Sequence, residues 1–281
     1  MSTPIQPVQI IRVGAGQTER LPDLVVTEEP LEIRVGHGEA HDRKQFSLSV
    51  TMRTPGNDEA LCVGFLYTEA VIDSIDHVLS VKYCEDLGRQ EGMENLMRVE
   101  LKPGVEISDE QFKRNFYTTS SCGVCGKASI DSIKVDCAPL RMTELKLNKE
   151  VLFGLPDKLR EAQQVFKHTG GLHASALFTV DGNLITYQED VGRHNALDKL
   201  IGARLLEGKD NFEQLILVLS GRISFELVQK ALRAGIATIA AVGAPSSLAV
   251  ELASEFGMTL IGFLKADRFN VYSGGTKSDE N

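Results

Sequence analysis

The order of patterns in the second half constrains this chain most. Residues 173–180 read as a strand, Asp181-Gly-Asn183 as a hairpin turn, and 184–188 as the partner strand. A helix follows over 193–206. Then come a strand at 215–220 and a helix at 224–234 ending on Gly235. A strand at 238–242 leads to a helix at 247–256 ending on Gly257, and a last strand covers 260–264. The order β-β-α-β-α-β-α-β requires a mixed sheet flanked by helices, parallel in its later strands, so the fold class is α/β. An amphipathic helix over 149–166 precedes it.

The first half is less regular. Strands are expected at 24–26, 31–35, 46–52, 78–83 and 95–101. After the Thr54-Pro-Gly-Asn-Asp58 turn, with Asn57 or Asp58 as cap, a helix is expected at 59–72. Residues 1–20 read as a disordered tail, 21–116 as a small α+β domain with a charged helical stretch at 104–116, and 117–127 as a cysteine loop. Residues 128–275 form the larger α/β domain, and 276–281 a second disordered tail.

A formal net charge of −9 argues against non-specific nucleic-acid binding, and an anionic ligand would need a local cluster of cations. No apolar run reaches the ~18 residues of a membrane span, and the N-terminus lacks the basic-then-apolar pattern of a signal peptide. Five cysteines, Cys62, Cys84, Cys122, Cys125 and Cys137, make an odd and scattered set. That argues against a disulfide framework and fits a reducing cytoplasm.

Cys122 and Cys125 form a C-x-x-C in a Gly/Ser/Thr loop. Three chemistries compete for it, beside an inert pair. With Cys137 and a His it fits part of a zinc site. A redox disulfide is the second option, although thioredoxin-like pairs lie early in a βαβ unit. The third is sulfur transfer, for which an exposed thiolate on a loop suits a sulfur collected in one place and released in another.

The strand–helix joins carry similar residues: His168-Thr-Gly-Gly-Leu-His173, Glu189-Asp-Val-Gly-Arg-His-Asn195, Ser220-Gly-Arg-Ile-Ser224 and Gly243-Ala-Pro-Ser-Ser247. In open α/β sheets such strand ends face the ligand crevice. Glycine permits close approach, and Arg193 and Arg222 offer bidentate phosphate contacts. Taken singly, the bland alternatives hold: Asp190 and Ser246 as helix caps, His194 with Asp198 as a surface pair, His173 and His194 as satisfied core histidines. Taken together, the joins point to a nucleotide-like site, with Phe263 and Phe269 placed to clamp a planar ring.

Ser121-Cys-Gly-Val-Cys-Gly126, Thr169-Gly-Gly-Leu-His-Ala174, the run from Glu189 to Lys199, Ser220-Gly-Arg-Ile-Ser224 with Val228-Gln-Lys230, and Arg268-Phe-Asn-Val-Tyr272 jointly resemble the formate dehydrogenase accessory sulfurtransferases, the FdhD family. The resemblance implies a C-terminal domain with a cytidine-deaminase-like fold, and a homodimer. It also implies an activity: sulfur from a cysteine desulfurase becomes a persulfide on Cys122, with Cys125 auxiliary. That sulfur is delivered to the molybdenum bis(molybdopterin guanine dinucleotide) cofactor of formate dehydrogenase, which guanine nucleotides mimic in part.

Phe263-Leu264-Lys265-Ala266-Asp267-Arg268 matches the family's cofactor-binding segment. Asp190, Gly192, Arg193, His194, His173, Ser220, Gly221, Arg222 and Ser246 are the further candidates, with Asp190 orienting Arg193 or His194. Deaminase chemistry is not implied, because His173-Ala-Ser175 lacks the H-x-E glutamate. Lys265 lacks the planar fork of Arg, and Asp267 is a negative neighbour for phosphate, so guanine or backbone contact is the firmer expectation for this segment. The competing function is a zinc-stabilised cofactor-binding chaperone without sulfur chemistry, and a weaker one is a thiol–disulfide oxidoreductase.

Overall fold

The computed structural model describes residues 3–84, 95–105, 107 and 147–275. The cysteine loop, the helical stretch expected at 104–116 and the 276–281 tail lie outside these residues, apart from positions 104, 105 and 107.

Ten-residue strands β1 (Ile5–Gly14) and β2 (Gln17–Val26) pair antiparallel over their full length. A two-residue turn joins them, with Gly16 at φ 105°. This hairpin replaces the loose tail expected over 1–20. The polar composition suggested disorder, but the short Ala15-Gly16 turn lets the flanking residues satisfy each other's backbone groups.

The N-terminal sheet has the order β4-β3-β6-β5, built from β3 (Glu29–His37), β4 (Lys44–Arg53), β5 (Val78–Tyr83) and β6 (Leu96–Leu101). Alternate residues Leu31, Ile33 and Val35 of β3 and Met97, Val99 and Leu101 of β6 turn to one core. There they meet Leu61 and Leu66 of α1 (Asp58–Thr68), a shorter helix than expected. Asn57 precedes it in a left-handed conformation without a side-chain cap. Asp58 instead pairs with Arg53, Nη2 to Oδ2 at 2.9 Å, both buried.

The larger sheet has the order β12-β11-β10-β9-β7-β8. It comprises β7 (His173–Thr179), β8 (Leu184–Asp190), β9 (Leu215–Leu219), β10 (Thr238–Ala241), β11 (Thr259–Gly262) and β12 (Asn270–Ser273). Strands β9, β10 and β11 are mutually parallel. Strands β7, β8 and β12 run antiparallel to their neighbours, and β12 was absent from the sequence reading.

Both sheet faces are covered. Ile216 and Val218 of β9 face α2 (Lys149–Ala162), while Leu217 and Leu219 face α4 (Arg193–Leu206), α5 (Phe225–Arg233) and α6 (Ser247–Glu255). Burial on both faces explains why these strands read as continuous apolar runs. The single helix expected at 149–166 is two. Gln163, at ψ 90°, separates α2 from α3 (Gln164–Thr169).

The two units meet where α1 crosses α4. An added Cβ would lie 1.8 Å from Asp198 O at Gly64 and 1.9 Å from Ala60 O at Gly202. The two backbones therefore meet at a distance only glycine permits. Lys230 closes the joint, with its Nζ 3.0 Å from Asp198 and 2.9 Å from Glu69, while Thr68 donates to Asp198 at 2.7 Å. These neighbouring carboxylates raise the affinity of the Lys230 ammonium for its proton despite its burial.

Candidate functional site

Four strand ends and the start of β7 reach one edge of the large sheet. His173 pairs in register with Asp190, the last residue of β8. Ser220, just past β9, receives the Ala174 N–H on its Oγ at 2.8 Å. The loops that follow are tied to one another. Gly243 N donates to Gly221 O at 3.2 Å, Ile223 N to Ala244 O at 3.0 Å, Ser246 N to Ile223 O at 2.9 Å and Phe263 N to Gly243 O at 3.0 Å. A Cβ on Gly243 would lie 2.7 Å from Gly221 O, so this lacing requires glycine.

Phe263 sits at φ 53°, a conformation that bulky residues rarely hold, and remains 42% exposed. Leu264 turns the other way. Its side chain is fully buried in the core and its N–H donates to Ala241 O at 2.9 Å, so its side chain is not part of the exposed surface. Lys265 N donates to Arg268 O at 2.9 Å, closing a turn with Ala266 and Asp267 exposed at its tip. Phe269 packs on Phe153 with ring centroids 5.7 Å apart, so one side of this ring already has an aromatic neighbour.

Cations gather at this edge despite the net negative charge of the chain. Arg193 and Arg222 lie near enough to His173 that, after burial, their charges hold its imidazole below the ordinary histidine range, against a smaller opposing pull from Asp190. Arg222 is exposed, while Arg193 buries its Nε without a hydrogen-bond partner among the described residues. His194 faces away, toward α5. Its Nε2 is 3.2 Å from Ser224 Oγ and 3.9 Å from Glu226. Burial, then Lys230 and Arg193, push its pKa down to about 4, so it is neutral at pH 7.

Several candidates in the Glu189–Lys199 run hold the molecule together instead. Asp190 is fully buried and does not orient Arg193 or His194. Its carboxylate accepts from Thr54 N at 3.1 Å, Gly192 N at 2.8 Å and Asn195 Nδ2 at 3.1 Å, and pairs with Lys199 Nζ at 2.7 Å. Lys199 also donates to Thr54 O at 2.7 Å, and Asn195 to Met52 O at 2.8 Å. Half of this motif is therefore a clamp on the N-terminal unit. Asp198 belongs to the α1–α4 joint and is not a surface partner of His194. Ser246 caps α6, accepting from Ala249 N at 3.3 Å. Glu189 accepts from Val165 and Phe166 N–H groups at 3.1 and 3.0 Å, which anchors α3.

Beside the edge, on the α2 side, opens a pocket of about 440 Å³. His173, Ser220, Val242 and Gly171 form one wall; Asp157, Arg160, Gln163 and Phe166 form the other. The helix residues escaped the sequence reading. Their signal was a polar stripe at 157, 160 and 163, three apart, on an otherwise Leu-anchored helix. Cys122 and Cys125 lie outside the described residues. Of the described cysteines, Cys62 is fully buried and its thiol is pushed well above the ordinary range, chiefly by burial, unlike the exposed, low-pKa thiols that act as nucleophiles.

Laced strand-end loops, exposed cations and a flanking pocket converge on one edge of an α/β protein, the edge at which sheets of this class bind ligands. Residues 26–278 match the FdhD/NarQ family model, and the chain belongs to that family. It is 48% identical over 275 residues to the sulfur carrier protein FdhD of Streptomyces avermitilis, covering 95% of this chain and 93% of that protein. The sulfur carrier protein FdhD of the archaeon Sulfurisphaera tokodaii is 42% identical over 270 residues, covering 96% and 97%. A crystal structure from Desulfotalea psychrophila, provisionally described as a formate dehydrogenase accessory protein, superposes with TM-score 0.72 at 22% identity. It covers 96% of this chain and 98% of that one, and supports the fold. No helix of the described residues is long and apolar enough to cross a membrane.

Proposed function

We propose that this chain is a sulfurtransferase serving formate dehydrogenase, carrying sulfur as a persulfide on Cys122. The Cys122 thiolate attacks the outer sulfur of a cysteine desulfurase persulfide. One S–S bond forms, another breaks, and the desulfurase leaves as its thiolate. Attack by the Cys125 thiolate on Cys122 Sγ then expels the outer sulfur as hydrosulfide, two thiols being oxidised to one disulfide. The acceptor is the molybdenum bis(molybdopterin guanine dinucleotide) cofactor, held by its guanine nucleotide ends at the sheet edge before insertion into formate dehydrogenase. Arg193, Arg222, Lys265 and Arg268 supply charge there, and Phe263 an aromatic face. The chain works in the cytoplasm as a homodimer, and its larger unit is of the cytidine-deaminase-like type.

The observation that carries this reading is the convergence of exposed cations and laced glycine loops on one sheet edge, in a chain whose relatives are sulfur carriers. Mass spectrometry after incubation with a cysteine desulfurase and cysteine tests it. One added sulfur atom is expected on the peptide containing Cys122. An undiminished adduct in Cys122→Ala overturns the assignment.

A further inference from the structure

The β1–β2 hairpin has no part in the chemistry of the sheet edge. Its strands have ten residues each, a length of about 34 Å, and a two-stranded hairpin is marginal in water by itself. The chain supports its root: β2 packs on α3, and Val26 lies against Gly171. Register places Ile11, Val13 and Leu24 on the same face as Val26, and Ile11 and Val13 are 57% and 76% exposed. The opposite face of the tip carries the Arg12–Glu19 pair. Strand addition is discouraged. Pro7 pairs with Leu24 and Pro22 with Gln9, alternate rungs at which the missing N–H would point outward, so each free edge lacks a donor. What remains for docking is the apolar face.

A second apolar patch lies beside the root. Thr27, Glu28 and Glu29 alone separate Val26 from Pro30, whose register partner is Met52 of β4. Met52 and Val50 share the outer face of the small sheet, 48% and 50% exposed. The size of the arm decides what can cover these faces. Its outer part, residues 7–13 with 18–24, presents a face of about 24 by 10 Å. One arm on one receiver buries about 500 Å², the size of an incidental crystal contact, whereas two arms exchanged across a two-fold axis bury about 1,000 Å², the threshold of a specific interface. We infer that the hairpin is an exchange arm whose outer face docks on the Val50–Met52 face of a second copy, reciprocally. Root and patch adjoin, so a two-fold axis beside the roots brings each arm to the other copy's patch and closes the contact. The inference rests on the reading that the chain is a homodimer and adds where the copies meet.

The test uses the full chain. Sedimentation velocity should show a dimer, and the double variant Ile11→Asp, Val13→Asp should raise its dissociation constant at least about 10-fold while the far-UV circular dichroism stays that of the wild type. Ile11→p-benzoylphenylalanine, in an equal mix of isotopically light and heavy chains, maps the contact without introducing a charge. The photoadduct should join position 11 to the tryptic peptide 45–53, which holds Val50 and Met52, and should include light–heavy pairs. If the aspartates alter the fold, the adduct decides alone. An adduct with that peptide but without light–heavy pairs means the arm lies on its own chain, which overturns the exchange. An adduct elsewhere, or a dimer that the two aspartates leave intact, overturns the arm while the homodimer reading stands. A wild type that stays monomeric across the concentration range overturns both.

Discussion

Alanine in place of Gly202 and alanine in place of Gly154 should move stability in opposite directions, although both glycines lie inside helices. At Gly202 the new Cβ would start 1.9 Å from Ala60 O, and real Cβ contacts essentially never fall below 3.0 Å. Helices α1 and α4 must therefore part by at least about 1 Å. That strains packing at a cost of up to ~3 kcal/mol. It also stretches the Thr68–Asp198 and Lys230–Asp198 contacts that bridge the same joint. Better helix propensity returns about 1 kcal/mol, leaving a net loss of about 2 kcal/mol. At Gly154 of α2 nothing lies within 4 Å of the added Cβ, so only the propensity gain of about 1 kcal/mol remains. At roughly 2–4 °C per kcal/mol, the melting temperature should fall by roughly 4–8 °C for Gly202→Ala and rise by roughly 2–4 °C for Gly154→Ala. Differential scanning calorimetry decides. Two shifts of the same sign would refute the steric reading of the α1–α4 crossing.

Lys199→Met leaves the Asp190 carboxylate buried without its cation and should cost about 3–5 kcal/mol in denaturant unfolding, with part recovered by adding Asp190→Asn. The ring resonances of His194 should stay those of neutral imidazole until about pH 4. The unfolded chain takes up this proton first, so the stability tied to neutral His194 is present above about pH 6.5 and lost as pH falls toward 4. His194→Gln should remove that part of the acid slope. Ser246→Ala should lower stability by about 1 kcal/mol through loss of the α6 cap while GDP affinity stays unchanged; a change confined to affinity would make Ser246 a ligand contact instead.

Much of the α/β unit was legible because its signals are local. The strand over 78–83 matches to the residue, and the helix expected from Arg193 to about Leu206 spans Arg193–Leu206; both follow from apolar patterning between turn and glycine punctuation. Features that depend on partners distant in sequence were not. Strand β12 exists because it pairs with β11, and the break at Gln163 shows only once α3 is seen bound to Glu189. Asp190 looked like a ligand group because it stands at a strand end beside glycine and arginine. Its partners Thr54 and Lys199 lie on other elements, and no spacing rule announces a buried clamp across 136 residues. Phe269 illustrates the same limit, an aromatic at the right edge with Phe153 already against one side of its ring. What the sequence did localise was the edge itself, because glycine followed by arginine or serine recurs at successive strand–helix joins.

The lacing of the loops after β9, β10 and β11 means they cannot be ordered one at a time. Each uses a neighbour's carbonyl as its acceptor, so the edge arrives at any encounter already assembled. A visiting molecule need not freeze three loops, and the free energy of its contacts is retained as affinity. The same coupling makes the edge intolerant of piecemeal change. A side chain at position 243 would displace the backbone at 221–222 and disturb the carbonyl that Phe263 N–H uses, so the turns change as a set.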